Sequence, residues 1–469
     1  MTVRLKCLLR RARSILLLAA PHAVAASRNV FVIAFAGALA FLCQPAAAAP
    51  DTAAANAISS PSLATPVEPL LAEALRNNAE IAAARAESDA AQQRIAPAAA
   101  LEDPMLEAGI VNAPLPFSLN REDMTMKMLG LSQKFPFPGK RDLRHGVAVA
   151  SAASINLAVD ETANRVIRDV RVAYEDLRLA LTSQRLVSAT FETVKQLASI
   201  AEARYAVGQA TQSDALQAQT QVVRMQQERL RLGQEEAMRR SELQRLLGRR
   251  DEEAQPIVPT RAALLDLPAA PEALHKAAQE ERPQLKSLAA LIEKSDREVE
   301  LARREYYPDF EVRFNYGQRD RAPDGTPRDD MVTLTVAVNL PLWRKSRLEP
   351  RVAEATAMRR QAVSLAEGQR LETRAALQQQ LALEHQQRAS ALLYRGTLMP
   401  QTDAAFDSAL AAYRVGKVDV LTLLEARMRV YETALGEAEA IGGHNKAIAE
   451  IDFLTGHARG TASLETQQP

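Results

Sequence analysis

The sequence predicts a mainly α-helical chain with a small β part, built from a duplicated order of helix, strand hairpin, long helix and return helix. Three observations predict it. The stretch ARYAVGQATQSDALQAQ at 203–219 returns as AAYRVGKVDVLTLLEAR at 411–427, matching at Tyr205/Tyr413, Val207/Val415, Gly208/Gly416, Leu216/Leu424 and Ala218/Ala426, an offset of 208 residues. Apolar residues recur at steps of three and four over some sixty residues ahead of the first copy, the spacing of a coiled coil. Between 310 and 340 the pattern changes to strict alternation, which requires one apolar and one polar environment.

Composition agrees. Only 4% of the 469 residues are aromatic, with a single Trp, while Ala, Leu, Gln, Glu and Arg abound. That mix suits long helices rather than a compact α/β enzyme. A repeat nearly half the chain long reduces the expected domain count to one body made of two similar halves. The domain reading is a signal peptide at 1–49, a linker at 50–66, a first repeat at 67–260, a second at 270–456 and a disordered tail at 457–469.

The opening 49 residues carry six basic residues and no acid, then the apolar run 30–43 and the small residues 46–49. This is the order of an export signal, too short for a membrane span of roughly twenty residues. Without it the balance is 52 basic against 57 acidic residues, which gives no support to a nucleic-acid partner. Both cysteines, Cys7 and Cys43, fall in this leader, so the exported chain has neither a disulfide framework nor a thiol site. Cys43 follows the bulky Leu42, against the small residue expected ahead of a lipid-attachment cysteine.

In chain order, helical spacing runs from Leu70 to about Ile95, through the phrase Asn77-Asn78-Ala79-Glu80-Ile81, and Pro97 and Pro104 close it. Strands are expected at about 105–111 and 124–134. Pro136 and Pro138 in FPFPGKRD then forbid both sheet and helix interior, so a long helix starts only beyond them, by about Val147, and runs to Tyr205. Gly208 suits the left-handed conformation that stops a helix, and Thr211, Ser213 and Asp214 offer caps to the return helix ending near Leu247. The second half repeats the order. A helix is expected over about 271–306 across Arg282-Pro283, strands at 310–316 and 332–340, and one uninterrupted helix from about Arg347 to Tyr413. Gly416 turns that helix, and the last one ends near Gly456.

Four strands cannot close a barrel, since even small transmembrane barrels need eight. Yet the 310–340 hairpin has a full apolar face at membrane-crossing length. Strands must therefore come from other copies of the chain, and three copies supply twelve.

Over about 66–456 this order resembles the TolC-like outer membrane efflux protein family. The marker Leu131-Ser132-Gln133-Lys134-Phe135-Pro136-Phe137-Pro138-Gly139-Lys140-Arg141 is similar to the strand-to-helix pivot of the branch with heavy-metal efflux channels such as CzcC and CusC. The duplicated Tyr-x-Val-Gly turns and the Asn77-Asn78 and Arg282-Pro283 phrases match as well. The resemblance implies a homotrimer with a twelve-stranded β-barrel in outer-membrane lipid and an α-barrel across the periplasm. It implies docking to a periplasmic adaptor and an inner-membrane pump of the RND type, and passive conduction of metal ions or small toxic compounds. No Ser/His/Asp grouping, Gly-rich phosphate loop or paired-carboxylate motif stands out, so neither enzymatic activity nor a cofactor is expected. The turn residues Tyr205, Val207, Gly208, Tyr413, Val415 and Gly416 become candidate docking points. Acids after the second turn narrow the periplasmic mouth in the family. By motif these positions are Thr422, where an Asp is usual, and Glu425, with Asp419 one turn earlier and Asp214 in the first copy.

Two other readings compete. An exported coiled-coil adaptor without a channel is expected to show one helical hairpin between Gly-rich β segments, and a type I secretion channel shares the same tunnel. Met124, Met126 and Met128 share a strand face with Met105 on the partner strand, a thioether group of the kind that suits Cu(I). Methionine is also a routine packing residue, and that reading is preferred. The six histidines are scattered without HxxxH spacing, so no metal site is assigned.

Overall fold

The computed structural model describes residues 67–115, 117–250, 258–260 and 263–456. The expected signal peptide, the whole of the expected linker, both cysteines and the expected tail lie outside them. Ten α-helices and four strands follow one another in the described residues. They are α1 (Val67–Asn77), α2 (Ala79–Gln93), α3 (Ile95–Ala99), β1 (Met105–Val111), β2 (Met126–Phe135), α4 (Lys140–Ala206), α5 (Gln212–Leu247), α6 (Pro271–Glu280), α7 (Pro283–Arg304), β3 (Phe310–Gln318), β4 (Met331–Val338), α8 (Glu349–Leu393), α9 (Met399–Arg414) and α10 (Val420–Thr455).

The strands form one antiparallel sheet in the order β1-β2-β3-β4, so β2 and β3 join the two halves. Residues paired across an antiparallel ladder share a face. One row reads Leu106, Leu131, Phe314, Leu334, and the next Ala108, Leu129, Tyr316, Val332. The opposite face carries rows such as Met105, Ser132, Arg313, Thr335 and Glu107, Gly130, Asn315, Thr333. The apolar face is open, with Leu106 and Leu334 about 70% exposed. Met105 sits opposite Ser132 while Met126 sits opposite Val111, at the other end of the ladder, and Met124 precedes the strand. Met105 therefore lies apart from the other three methionines, and no group of His, Cys, Asp or Glu among the described residues is arranged to hold a metal.

Helix α4, 67 residues long, rises about 100 Å. It starts seven residues before the expected Val147, directly after Gly139, because beyond that glycine only Gly146 disfavours helix, too weakly to stop it. At the tip end its apolar stripe (Val187, Val194, Leu197, Ala201) packs with Met225 of α5, Tyr413 of α9 and Leu423 and Tyr431 of α10. Nearer the sheet, Val166, Val170 and Leu177 pack with Leu70 and Leu71 of α1 and Leu243 and Leu247 of α5. No described helix is long and apolar enough to cross a membrane.

Three expected helices are interrupted. The first breaks at Asn78, whose side chain caps α2 by accepting from the amides of Glu80 (2.8 Å) and Ile81 (3.4 Å) and donates to the Leu246 carbonyl (2.9 Å). The helix at 271–306 breaks at Arg282, where Pro283 starts α7, a position at which its missing N–H costs nothing. The buried Arg282 guanidinium donates to Thr373 Oγ1 (2.7 Å) and Glu161 Oε1 (3.1 Å) and lies over the Phe453 ring. The long helix of the second half contains Pro400 and is not continuous. A π turn at Tyr394–Leu398 precedes α9, with the Met399 amide bonding five residues back to the Tyr394 carbonyl. A second π turn, Arg344–Leu348, leads into α8. The strands also shift slightly from expectation: β2 begins at Met126 rather than Met124, and β4 stops at Val338 rather than Leu340.

Candidate functional site

Two regions collect the residues singled out by sequence. At the pivot, Pro136 and Pro138 end β2, and Gly139 takes φ +87° so that α4 can leave at an angle. Lys140 is buried. Its Nζ donates to Asp309 Oδ1 (2.8 Å) and to the Tyr307 carbonyl (2.9 Å). The Phe137 amide donates to the same Asp309 oxygen (2.7 Å), and the Phe137 ring stacks on Tyr307 at 4.7 Å with the Arg304 guanidinium beside both rings. Asp309 is also tied to the second pivot, its amide donating to Asn339 Oδ1 (2.6 Å) just before Pro341. Arg141 Nε donates to the Ala99 carbonyl (2.7 Å). The first half's pivot is thus fastened to the second half through one carboxylate. Sequence reasoning named Pro136, Pro138, Gly139, Lys140 and Arg141 and missed Asp309, directly ahead of β3.

At the tips the two turns are alike to the hydrogen bond. Gly208 (φ +76°) donates to the Tyr205 carbonyl (2.9 Å) and Gln209 to that of Arg204 (2.8 Å). Gly416 (φ +73°) donates to Tyr413 (3.1 Å) and Lys417 to Ala412 (3.0 Å). Each pair satisfies the last carbonyls of the incoming helix through a left-handed glycine. The return helices start differently. Thr211 and Asp214 form a reciprocal capping box on α5, with Asp214 Oδ2 accepting from the Thr211 amide (3.0 Å). Asp419 caps α10, accepting from the Thr422 amide (2.9 Å) and hydroxyl (2.6 Å). That hydroxyl, ahead of the amide, holds the Asp419 carboxyl below its ordinary range, because both bonds favour the charged form.

The aromatic positions have diverged. Tyr205, Val207 and Val415 are exposed, while Tyr413 is buried with the Arg204 guanidinium 4.3 Å over its ring. Arg204 also donates to the Arg414 carbonyl (3.3 Å), so the tips of the two hairpins touch. Tyr413 therefore packs inside the tip and presents no surface. Glu425 is exposed one turn into α10, in a cleft with Gln217, Arg224 and Arg429. Asp214, Asp419, Thr422 and Glu425 thus all follow their glycine, at the starts of the return helices, and two of the three acids already serve as helix caps.

No curated protein sequence matches the chain. The fold is similar to that of CusC, at 17% identity over 83% of this chain and 91% of that one, with a TM-score of 0.71. It is similar to the outer membrane protein VceC of Vibrio cholerae, at 18% identity over 83% of this chain and 96% of that one, TM-score 0.69. The CmeC outer membrane channel of Campylobacter jejuni gives 14% identity over 84% of this chain and 86% of that one, TM-score 0.72. The family model for outer membrane efflux proteins matches twice, over residues 70–249 and 274–457. With both halves matched and the fold shared, the chain belongs to the outer membrane efflux protein family, whose place is the outer membrane.

Proposed function

We propose that the chain is the channel subunit of a tripartite efflux system, passively conducting metal ions or small toxic compounds from an inner-membrane pump of the RND type, through a periplasmic adaptor, to the exterior. The observation that carries this reading is the sheet. It has four strands, an open and mostly apolar face, an opposite face richer in polar residues, and no partner strand at β1 or β4 among the described residues. In lipid such edges are untenable, because unpaired backbone groups find no water there. A homotrimer pairs each β4 with a neighbour's β1 and closes twelve strands, with the apolar face outward and the polar face lining the lumen. The exposed heptad stripe Leu216, Val223, Leu230 on α5 supports the same assembly, since it gives neighbouring copies an apolar seam along the helices.

The tips, about 100 Å of helix from the sheet, are the natural docking points for an adaptor. Gly208 and Gly416 shape the turns, Tyr205, Val207 and Val415 supply surface, and Tyr413 supports them from within. Three copies of Asp214, Asp419 and Glu425 form acidic rings that favour cations, with Thr422 keeping Asp419 ionised. Family membership sets the adaptor reading aside.

The test is single-channel recording of reconstituted protein in planar bilayers. The wild type should be cation-selective and blocked by multivalent cations from the tip side. Asp419→Asn with Glu425→Gln should lose most of both properties while keeping the Asp419 cap. Unchanged selectivity would remove these residues from the aperture, and no conductance from inserted wild-type protein would contradict the channel.

A further inference from the structure

Where α4 begins, beside the end of α7 and the β4–α8 connection, lies a cavity of about 230 Å³. Four cations line it: Lys140, Arg144, Arg347 and Arg351. Lys140 is paired with Asp309, and Arg351 with Glu305. The guanidinium groups of Arg144 and Arg347 have no carboxylate or hydrogen-bond partner among the described residues. The cavity therefore has two positive charges in excess, and the N-terminal end of α4, favourable to anions, starts at its wall.

Its rim is of the opposite character. Leu340, Leu342 and Trp343 are 68%, 72% and 71% exposed and continue directly from the apolar face of β4. A Trp preceded by Leu340 and Leu342 and followed by Arg344, Lys345 and Arg347 is the composition that settles at the boundary between hydrocarbon and headgroups. Cationic cavity and apolar rim are thus adjacent, in the order in which a phospholipid presents its phosphate and its acyl chains.

We infer that this cavity binds the phosphodiester of an anionic glycerophospholipid, with Arg144 and Arg347 on the phosphate oxygens and Trp343 and Leu340 against the upper acyl chain. Arginine suits the role because its planar fork meets two phosphate oxygens at once. The inference rests on the reading that the sheet lies in the membrane. A lipid rather than free phosphate is the ligand because the apolar rim has no use for an inorganic ion.

The test is native mass spectrometry of protein reconstituted into vesicles of equal parts phosphatidylglycerol and phosphatidylcholine, then extracted in mild detergent. Wild type should retain phosphatidylglycerol in preference to phosphatidylcholine. Arg144→Gln with Arg347→Gln should weaken retention by on the order of tenfold or more, from roughly fivefold for each basic residue near an anionic surface. Trp343→Ala should weaken it as well, and Lys195→Gln, far along α4, should not. Equal retention by wild type and the double variant, both inserted and conducting, overturns the inference alone. Displacement of the lipid by inorganic phosphate, with Trp343→Ala behaving as wild type, makes this a phosphate site and overturns the lipid assignment. Wild type that never enters the vesicles overturns the membrane reading and this inference together.

Discussion

Glycine performs two different tasks at the residue scale. A Cβ on Gly208 or Gly416 would meet nothing within 4 Å, so only the left-handed backbone demands glycine there. Gly208→Val or Gly416→Val should cost about 1–2 kcal/mol in stability, measured by thermal unfolding, and impair efflux. At Gly248 a Cβ would lie 2.6 Å from the Asn77 carbonyl oxygen, and at Gly456 it would lie 3.0 Å from that of Glu281. There strain and backbone collision add, so Gly248→Ala should lower the unfolding temperature more than Gly208→Ala; equal losses would show that the close approach does not matter.

Thr422 gives a second residue-scale prediction. Its hydroxyl is the largest cause of the depressed Asp419 carboxyl, and a depressed carboxyl contributes its charge down to a lower pH than an ordinary one. The cap on α10 is therefore present above the ordinary carboxylate range and is lost only as pH falls through the lowered folded value. Thr422→Val removes the hydroxyl donor at similar volume. The pH at which cation selectivity fades should then move upward in reversal-potential measurements, and an unmoved profile would detach Asp419 from the pore.

At the scale of elements, the pivot depends on one buried ammonium held by Asp309. Removing one member of such a pair strands the other, at about 3 kcal/mol or more. Asp309→Ala should lose roughly that in chemical denaturation and loosen the α4 start, whereas a loss within error would make the pair incidental. The interrupted helix of the second half gives a further prediction. Pro400 lacks the amide that a regular helix requires, and the π turn at Tyr394–Leu398 absorbs the defect. Pro400→Ala should raise amide protection around 394–400 in hydrogen exchange; unchanged protection would place the cause elsewhere, for instance in the Tyr394 ring seated against Gly436.

These elements also show what the sequence could and could not convey. Alternation at 310–316 and the glycine turns were legible because their causes are local: side-chain period and a positive φ. The break at Asn78 was not, because one of its hydrogen-bond partners, the Leu246 carbonyl, lies 168 residues away. Arg282 likewise depends on Glu161, Thr373 and Phe453, which only the fold brings together. The Asn-Asn and Arg-Pro phrases were recognisable as words, and their meaning as helix breaks needed the return helix. Pro400 and Pro283 were readable signals that the helical periodicity around them concealed. The divergence of Tyr413 from Tyr205 had no signal in the repeat, since the two turns match at that position and differ only in which one lies beneath Arg204.

For the whole molecule, the sheet and the helices make opposite demands. The helices satisfy their own backbone and bury their stripes largely within the chain. The sheet leaves an apolar face and two edges open, and no helix among those described covers them. Only association resolves this, and only in a membrane. Detergent-extracted protein, weighed by sedimentation with the bound detergent accounted for, measures the claim most directly. Three copies per particle is the predicted result. A stable single copy, soluble without detergent, would contradict it.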